Sequence, residues 1–170
     1  MIGADEVIQR LGLKPHPTEG GWYAETWRAG ENLPAQALPE RYGSSRAFGT
    51  AIYYLVTEQG FSALHRLKSD EIFHFYFGES VQLLQLLPGG KGLMRKLGHD
   101  ILSGELPQCL VPAGVWQGSR LLPGGRHGFA LLGCTVAPGF DFADYEHGSR
   151  SELLRAWPDF SHEINVLTRE

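Results

Sequence analysis

The sequence predicts an all-β fold, an antiparallel sandwich or barrel with short helices near its two ends. Short runs rich in aromatic, aliphatic and β-branched residues recur from Thr50 to Val136. Brief turns containing Gly, Pro or Asp separate these runs. No helical crossover long enough to join parallel strands lies between them. We expect residues 1–170 to form a single domain.

The elements are predicted in the following order. A short helix covers residues 5–11, because Val7, Ile8 and Leu11 form one apolar stripe and Gly12 suits a helix C-terminus. A first strand, aromatic on both faces, follows a Pro- and Gly-rich loop. The strands are expected over residues 21–28, 50–56, 61–67, 71–77, 81–87, 93–97, 108–111, 115–122 and 129–136.

Three stretches outside the strands complete the prediction. Residues 29–46 are polar and irregular, which indicates a long surface loop of the kind that often acts as a lid. The acidic run 140–148 lacks the spacing of a calcium loop and is expected to be a solvated turn. Ser149 and Glu152 have the spacing of a capping box ahead of a short helix, and the tail after it is a second helix or an arm.

The strongest candidate site lies within residues 61–78. Two alternating runs joined by a polar turn predict a β-hairpin, in which Leu67 lies opposite Glu71 and His65 lies diagonally from it. A histidine and a glutamate on a face otherwise lined by Leu and Phe would be costly to bury without partners. His65 and Glu71 are therefore the candidate catalytic residues.

Composition narrows the classes of partner. The chain carries 15 Lys and Arg against 19 Asp and Glu, a net charge of −4, and no basic run, which disfavours nucleic acid. No apolar run reaches the length of a membrane span, and the N-terminus lacks the features of a secretory signal. Cys109 and Cys134 have no disulfide or metal spacing and are expected to be buried thiols. We expect a cytoplasmic protein.

Residues 61–78 resemble the first motif of the cupin superfamily, whose members are small antiparallel barrels. His65, Glu71 and Gly78 stand at positions of that motif, whereas Leu67 occupies the position of its second histidine.

Residues 104–121 resemble the second cupin motif. Pro112 and Gly114 fit its centre, and Gln117 stands in place of its histidine. The likeness extends from about Glu19 to Glu146. Over this range the sequence is similar to a branch of single-domain cupins of largely undefined function. It implies a double-stranded β-helix, or jelly-roll, barrel, similar to dTDP-sugar 3,5-epimerases and germin-like proteins. It also implies a homodimer, in which strand 21–28 could cross to the partner.

A typical cupin centre uses three histidines and a glutamate to hold Fe, Mn, Zn or Ni. Here a leucine and an amide replace two of those ligands, and neutral amides bind such metals poorly. Strand alternation turns His74 to the opposite face from Glu71. We expect no metal cofactor, and a divalent ion at His65, Glu71 and Gln117 is the alternative.

The resemblance to epimerases implies a metal-independent isomerase or epimerase acting on a sugar or sugar-nucleotide-like substrate. His65 would remove a proton beside a carbonyl, and Glu71 would orient its ring. Three alternatives stay open: a module that binds a small polar ligand without turnover, a metal-dependent enzyme with fewer ligands, and a purely structural His–Glu pair.

The candidate substrate-binding residues supply hydroxyl, amide, cationic or aromatic groups: Gln117, Ser119, Arg66, Arg28, Tyr23 and Trp27. An amide and a hydroxyl suit sugar hydroxyls, and arginine suits a phosphate or carboxylate. The aromatic rings would stack on a sugar or a base.

Overall fold

Two antiparallel β-sheets, packed face to face, dominate the computed structural model, which describes residues 2–169. The strands are β1 (Lys14–Pro15), β2 (Trp22–Arg28), β3 (Asn32–Leu33), β4 (Arg46–Ala47), β5 (Thr50–Thr57), β6 (Ser62–Arg66), β7 (Asp70–Gly78), β8 (Val81–Leu87), β9 (Lys91–Leu97), β10 (Gln108–Val111), β11 (Trp116–Leu121), β12 (Phe129–Ala137) and β13 (Glu146–His147). The helices are α1 (Ala4–Leu11), α2 (Arg150–Ala156) and α3 (Ser161–Val166). The predicted all-β class is confirmed.

The larger sheet has six strands in the order β1-β2-β5-β12-β7-β10, and the smaller has five in the order β13-β6-β11-β8-β9. A separate two-stranded ribbon, β3-β4, lies within the segment predicted as a surface loop. Strand β2 pairs with β5 of its own chain, with Tyr23 opposite Tyr54.

The predicted hairpin between β6 and β7 is wrong, because the two strands belong to different sheets. His65 on β6 lies opposite Gln117 and His147, whereas Glu71 on β7 lies opposite Val111 and Val136. Period-two alternation locates strands, but it does not specify which strands pair. Residues 67–69 carry the chain from one sheet to the other. His65 and Glu71 therefore come from facing sheets.

The hydrophobic core fills one end of the space between the sheets. Leu83, Leu97 and Leu132 are fully buried there, and Phe73 is 2% exposed. Strands β7 and β12 carry smaller or polar residues toward the other end, where Glu71 and Val136 line a cavity instead. The change along β7 and β12 from bulky to small or polar side chains leaves that end open.

The helices cover the outer faces of the two sheets. On the larger sheet, Val7 of α1 packs with Leu55 and Phe129. On the smaller sheet, Leu153 of α2 and Ile164 of α3 pack on strand residues including Leu64 and Trp116. Both predicted helices are confirmed, and the tail after α2 contains a further helix rather than an extended arm.

The side chain of Ser149 makes no capping hydrogen bond, so the expected capping box does not form. Cys109 and Cys134 are free and buried, as predicted. No helix within residues 2–169 is long and apolar enough to span a membrane.

Candidate functional site

A cavity of about 670 Å³ opens at the end of the sandwich where β5 and β7 begin and β12 ends. Its ionisable and aromatic lining comes from both sheets and from two loops that cover them. The groups that matter most for chemistry are His16, Glu19, Tyr23, His65, Glu71 and Tyr145. Sequence reasoning identified the three strand residues, His65, Glu71 and Tyr23, but it missed the other three.

His65 is 2% exposed, and its ring is fixed on three sides. Nδ1 lies 2.8 Å from the carbonyl oxygen of Ala63, which can only accept, so this contact assigns the hydrogen to Nδ1 and leaves Nε2 of the neutral ring unprotonated. Nε2 lies 3.8 Å from Oε2 of Glu19. Tyr145 stacks on the ring with centroids 5.0 Å apart. His65 thus has a basic nitrogen at the cavity.

Glu19, in the loop before β2, supplies the carboxylate that faces this imidazole. Its Oε1 accepts a hydrogen bond of 2.5 Å from the hydroxyl of Ser62, and its backbone oxygen accepts one from the amide of Ala63. Gly20 and Gly21 follow it with φ of +96° and +69°, a conformation that residues with a Cβ rarely adopt. These two glycines let the loop lie close against the strands, so Glu19 is held in place.

His16, from the same loop, contacts the other side of Glu19. Its Nδ1 accepts a hydrogen bond of 2.9 Å from the amide of Glu19, so Nε2 carries the hydrogen of the neutral ring. That Nε2 lies 3.8 Å from Oε2 of Glu19. Burial lowers the pKa of His16, although the carboxylate of Glu19 opposes this. His16 therefore offers an N–H group where His65 offers a lone pair.

Glu71 is buried beside Gln117. The amide Nε2 of Gln117 donates a hydrogen bond of 2.6 Å to Oε2 of Glu71. Burial raises the pKa of Glu71 to about 7, against the opposing effects of His65 and of the hydrogen bond from Gln117. At neutral pH the protonated and ionised forms of Glu71 coexist, so this carboxyl group can give or take a proton.

Gln117 and Ser119 lie behind the cavity wall rather than in it. Both are 1% exposed and point between the sheets from β11. Gln117 Oε1 and Ser119 Oγ have no hydrogen-bond partner within the described part of the chain. The amide of Gln117 thus reaches the cavity only through Glu71.

The remaining predicted binding residues divide into two groups. Tyr23 and Arg28 line the cavity. A β-bulge between Glu25 and Trp27 puts Arg28 on the same face as Glu25, and the guanidinium donates to both oxygens of that carboxylate at 3.1 and 2.7 Å. The expected phosphate ligand Arg28 is therefore already paired.

Arg66 and Trp27 are not brought to the cavity. Strand alternation turns Arg66 away from His65, and its guanidinium instead pairs with Glu146 at 2.8 Å and lies over the ring of Trp116. Trp27 is 51% exposed beyond the bulge of β2. Neither residue lines the cavity.

The acidic run 140–148 is part of the site, so the expectation of a solvated turn is correct for Asp141 and Glu146, which are exposed, and wrong for Asp144. Phe140, Phe142 and Tyr145 form one wall of the cavity. Asp144 is 4% exposed and receives two hydrogen bonds, of 2.7 and 2.6 Å, from the guanidinium of Arg46. A buried carboxylate is tolerated when a bidentate arginine pairs with it. This ion pair attaches the wall to β4.

Comparison with known proteins identifies the family. Residues 5–148 match the family model described as Cupin superfamily (DUF985). This chain is a cupin. An uncharacterised protein of Saccharomyces cerevisiae is 33% identical to this cupin over 135 residues, which cover 75% of this chain and 66% of the yeast protein. The cupin thus spans slightly less than two thirds of the length of that relative.

Solved structures agree with this assignment. A hypothetical protein from Leishmania major is 32% identical, with a TM-score of 0.90 over 99% of this cupin and 100% of that chain. Oxalate decarboxylase from Bacillus subtilis is 15% identical, with a TM-score of 0.54 over 91% of this cupin and 37% of the decarboxylase. The second likeness concerns the fold alone. The predicted cupin fold is confirmed.

The residues of this cavity do not fit the donor set of a typical cupin metal centre. Leu67 lines the cavity at the position of the second histidine, and the amide of Gln117 directs N–H toward Glu71. Within residues 2–169, no group of three or more His, Cys, Asp or Glu is arranged to hold one metal ion. His74 lies on the outer face, with Nε2 3.0 Å from the hydroxyl of Thr135.

Proposed function

We propose that this cupin binds a small polar molecule and moves protons on it with side chains alone, as an isomerase or epimerase. The observation that carries the proposal is the placement of His65 and Glu71 on facing sheets around one cavity. Inversion of a carbon centre needs one group to remove a proton from one side and another to deliver a proton to the opposite side.

His65 is assigned the role of base. Its Nε2 lone pair would take the proton from a carbon beside a carbonyl, and the resulting imidazolium would be stabilised by the carboxylate of Glu19 at 3.8 Å. Glu19 and the carbonyl of Ala63 thereby take the orienting role that the sequence assigned to Glu71.

Glu71 is assigned the role of acid. With a pKa of about 7, a substantial fraction of this group carries a proton at neutral pH and can deliver it to the enolate formed by His65. Tyr145 adds a hydroxyl that stays protonated, because burial raises its pKa to about 12. The tyrosine would hold the ligand by hydrogen bonding without itself exchanging a proton.

Solvent deuterium exchange tests this proposal. Keto and aldo sugars, free and nucleotide-linked, would be incubated with the protein in D₂O, and loss of the α-proton signal would be followed by NMR. We expect exchange with the wild type, a loss of roughly 100-fold or more in His65→Gln, and no change in His74→Gln, a matched variant on the outer face. Binding without exchange would instead favour a module without turnover, and exchange unaffected by His65→Gln would refute the role of His65.

We also propose that this cupin is a homodimer and acts in the cytoplasm. The outer face of the six-stranded sheet supports the first point, because Trp27, Tyr76 and Leu110 are each about half exposed there, at 51%, 52% and 50%. The free thiols of Cys109 and Cys134 support the second.

A further inference from the structure

The charges around the cavity are unbalanced toward negative. Four carboxylates line it, those of Glu19, Glu25, Glu71 and Asp141, against two permanent cations in the described lining. Arg28 is one of these cations, and Glu25 already engages its guanidinium at 2.7 Å. The other is Lys14, an exposed residue of β1 at the rim. The deep part of the cavity therefore contains carboxylates without a free cation.

Two acceptors that face the deep part of the cavity lack donors. Oε2 of Glu19 is 3.8 Å from the nearest nitrogen of both His16 and His65, which is beyond hydrogen-bond distance. Nε2 of His65 has a free lone pair in the neutral ring. A bound molecule that displaces water from these two acceptors must replace the hydrogen bonds of that water, so a molecule that donates hydrogen bonds is favoured there.

Aromatic rings form the walls around these acceptors. His16 contacts the ring of Tyr23 edge-on at 5.0 Å, and Phe140 contacts Phe142 at 5.0 Å. Tyr145 lies against His65. The faces of aromatic rings carry partial negative charge, and they attract cations and the C–H faces of sugar rings rather than anions.

We propose that the ligand of this cavity donates hydrogen bonds and carries no negative charge. It is a sugar or polyol without phosphate or carboxylate, or the amine-bearing counterpart of such a molecule. This inference rests on the proposed function in taking the cavity as the binding site, and it narrows the expected sugar or sugar-nucleotide to the uncharged and cationic members. A phosphate would have to approach the carboxylates of Glu19 and Asp141 against their charge.

Matched probes on one scaffold test the charge preference. D-glucosamine, D-glucose, D-glucuronate and D-glucose 6-phosphate would be titrated into the full chain and followed by ligand-observed NMR. Benzylamine, benzyl alcohol, benzoate and phenyl phosphate form a second series that probes the aromatic walls. We expect the amine and the neutral member of at least one series to bind roughly tenfold or more tightly than the two anions.

A variant without the charge of Glu19 tests whether this carboxylate causes the preference for the amine. Glu19→Gln keeps an oxygen for the Ser62 hydroxyl but removes the charge. It should weaken the binding of the amine relative to that of the neutral probe by at least about fivefold. Glu152→Gln makes the same change on an exposed face of α2 and should alter the affinity of neither probe. Tightest binding by an anionic probe, or no binding by any neutral or cationic probe, would overturn the inference.

The binding and exchange experiments fail independently. Binding of an uncharged or cationic probe without deuterium exchange would keep this inference and remove the isomerase. Exchange on a phosphorylated substrate would keep the isomerase and remove this inference.

Discussion

Oε2 of Glu19 lies 3.8 Å from Nε2 of His65 and at the same distance from Nε2 of His16. A carboxylate from a loop outside both cupin motifs thus lies between two imidazoles of opposite tautomer. The environment of the candidate base is set as much by this loop as by the strand that carries it.

The first prediction concerns this carboxylate. Glu19→Ala should lower the rate of α-proton exchange at saturating ligand by at least about tenfold, because the imidazolium loses its counter-charge and His65 loses a positioning contact. The affinity for a neutral ligand should fall by a smaller factor than the rate, which separates an effect on chemistry from general damage. Glu19→Asp should recover part of the rate. Equal losses in rate and affinity would contradict a positioning role, and Glu152→Gln is the control.

The second prediction concerns stability and pH. Glu71 has a pKa of about 7 in the folded protein, above its ordinary value of 4.5 in an unfolded chain. The folded state therefore binds the proton more tightly, so its stabilising contribution is full below about pH 4.5 and is lost as the pH rises through about 7. Glu71→Gln should remove this loss. Between pH 5 and pH 8, the free energy of unfolding of the wild type should therefore fall by roughly 2–3 kcal/mol more than that of the variant. Urea unfolding at the two pH values measures the difference, and parallel pH profiles would refute it.

The third prediction compares two arginine–carboxylate pairs. The pair of Arg46 and Asp144 is buried, whereas that of Arg66 and Glu146 is exposed. Arg46→Met should destabilise the protein by roughly 3–5 kcal/mol, because it leaves the carboxylate of Asp144 buried with only the amine of Lys68 at 3.5 Å. Arg66→Met should lower the free energy of unfolding by less than about 1 kcal/mol. Chemical unfolding of both variants provides the test, and similar losses would show that burial of the first pair has no energetic consequence.

The fourth prediction concerns the exposed apolar residues of the six-stranded sheet. Tyr76→Lys should shift the protein from dimer to monomer in sedimentation velocity experiments, because a charge placed in an apolar contact between two copies is costly to bury. Met94→Lys, at another exposed apolar position, on β9 of the other sheet, should leave the assembly unchanged. A wild type that sediments as a monomer would refute the homodimer.

Local patterns explain what could be predicted from the sequence. The bounds of β8 and β10 agree with the expected ranges because alternation and turn residues are properties of neighbouring positions. The pairing of β6 and β7 with other strands is a long-range property, which the polar turn after His65 did not reveal. Alternation still predicted the inward faces of both strands correctly, and for this reason His65 and Glu71 reach the same cavity despite the wrong pairing.

The missed residues lie where no periodicity guides interpretation. His16 and Glu19 stand in a loop between Pro15 and the pair Gly20-Gly21, and the only available signal was two ionisable residues in a segment stiffened by proline and shaped by glycine. Asp144 looked solvated because its neighbours are acidic. Its partner Arg46 is remote in sequence, and no local pattern indicates such an ion pair.

Facing sheets in a sandwich are separated by roughly 10 Å between their backbones, and side chains occupy part of that gap. The distance between the sheets therefore limits the thickness of any ligand that contacts both His65 and Glu71. For this cupin, the spacing between two layers of backbone sets a limit on the shape of what can react, independently of the charge of the lining.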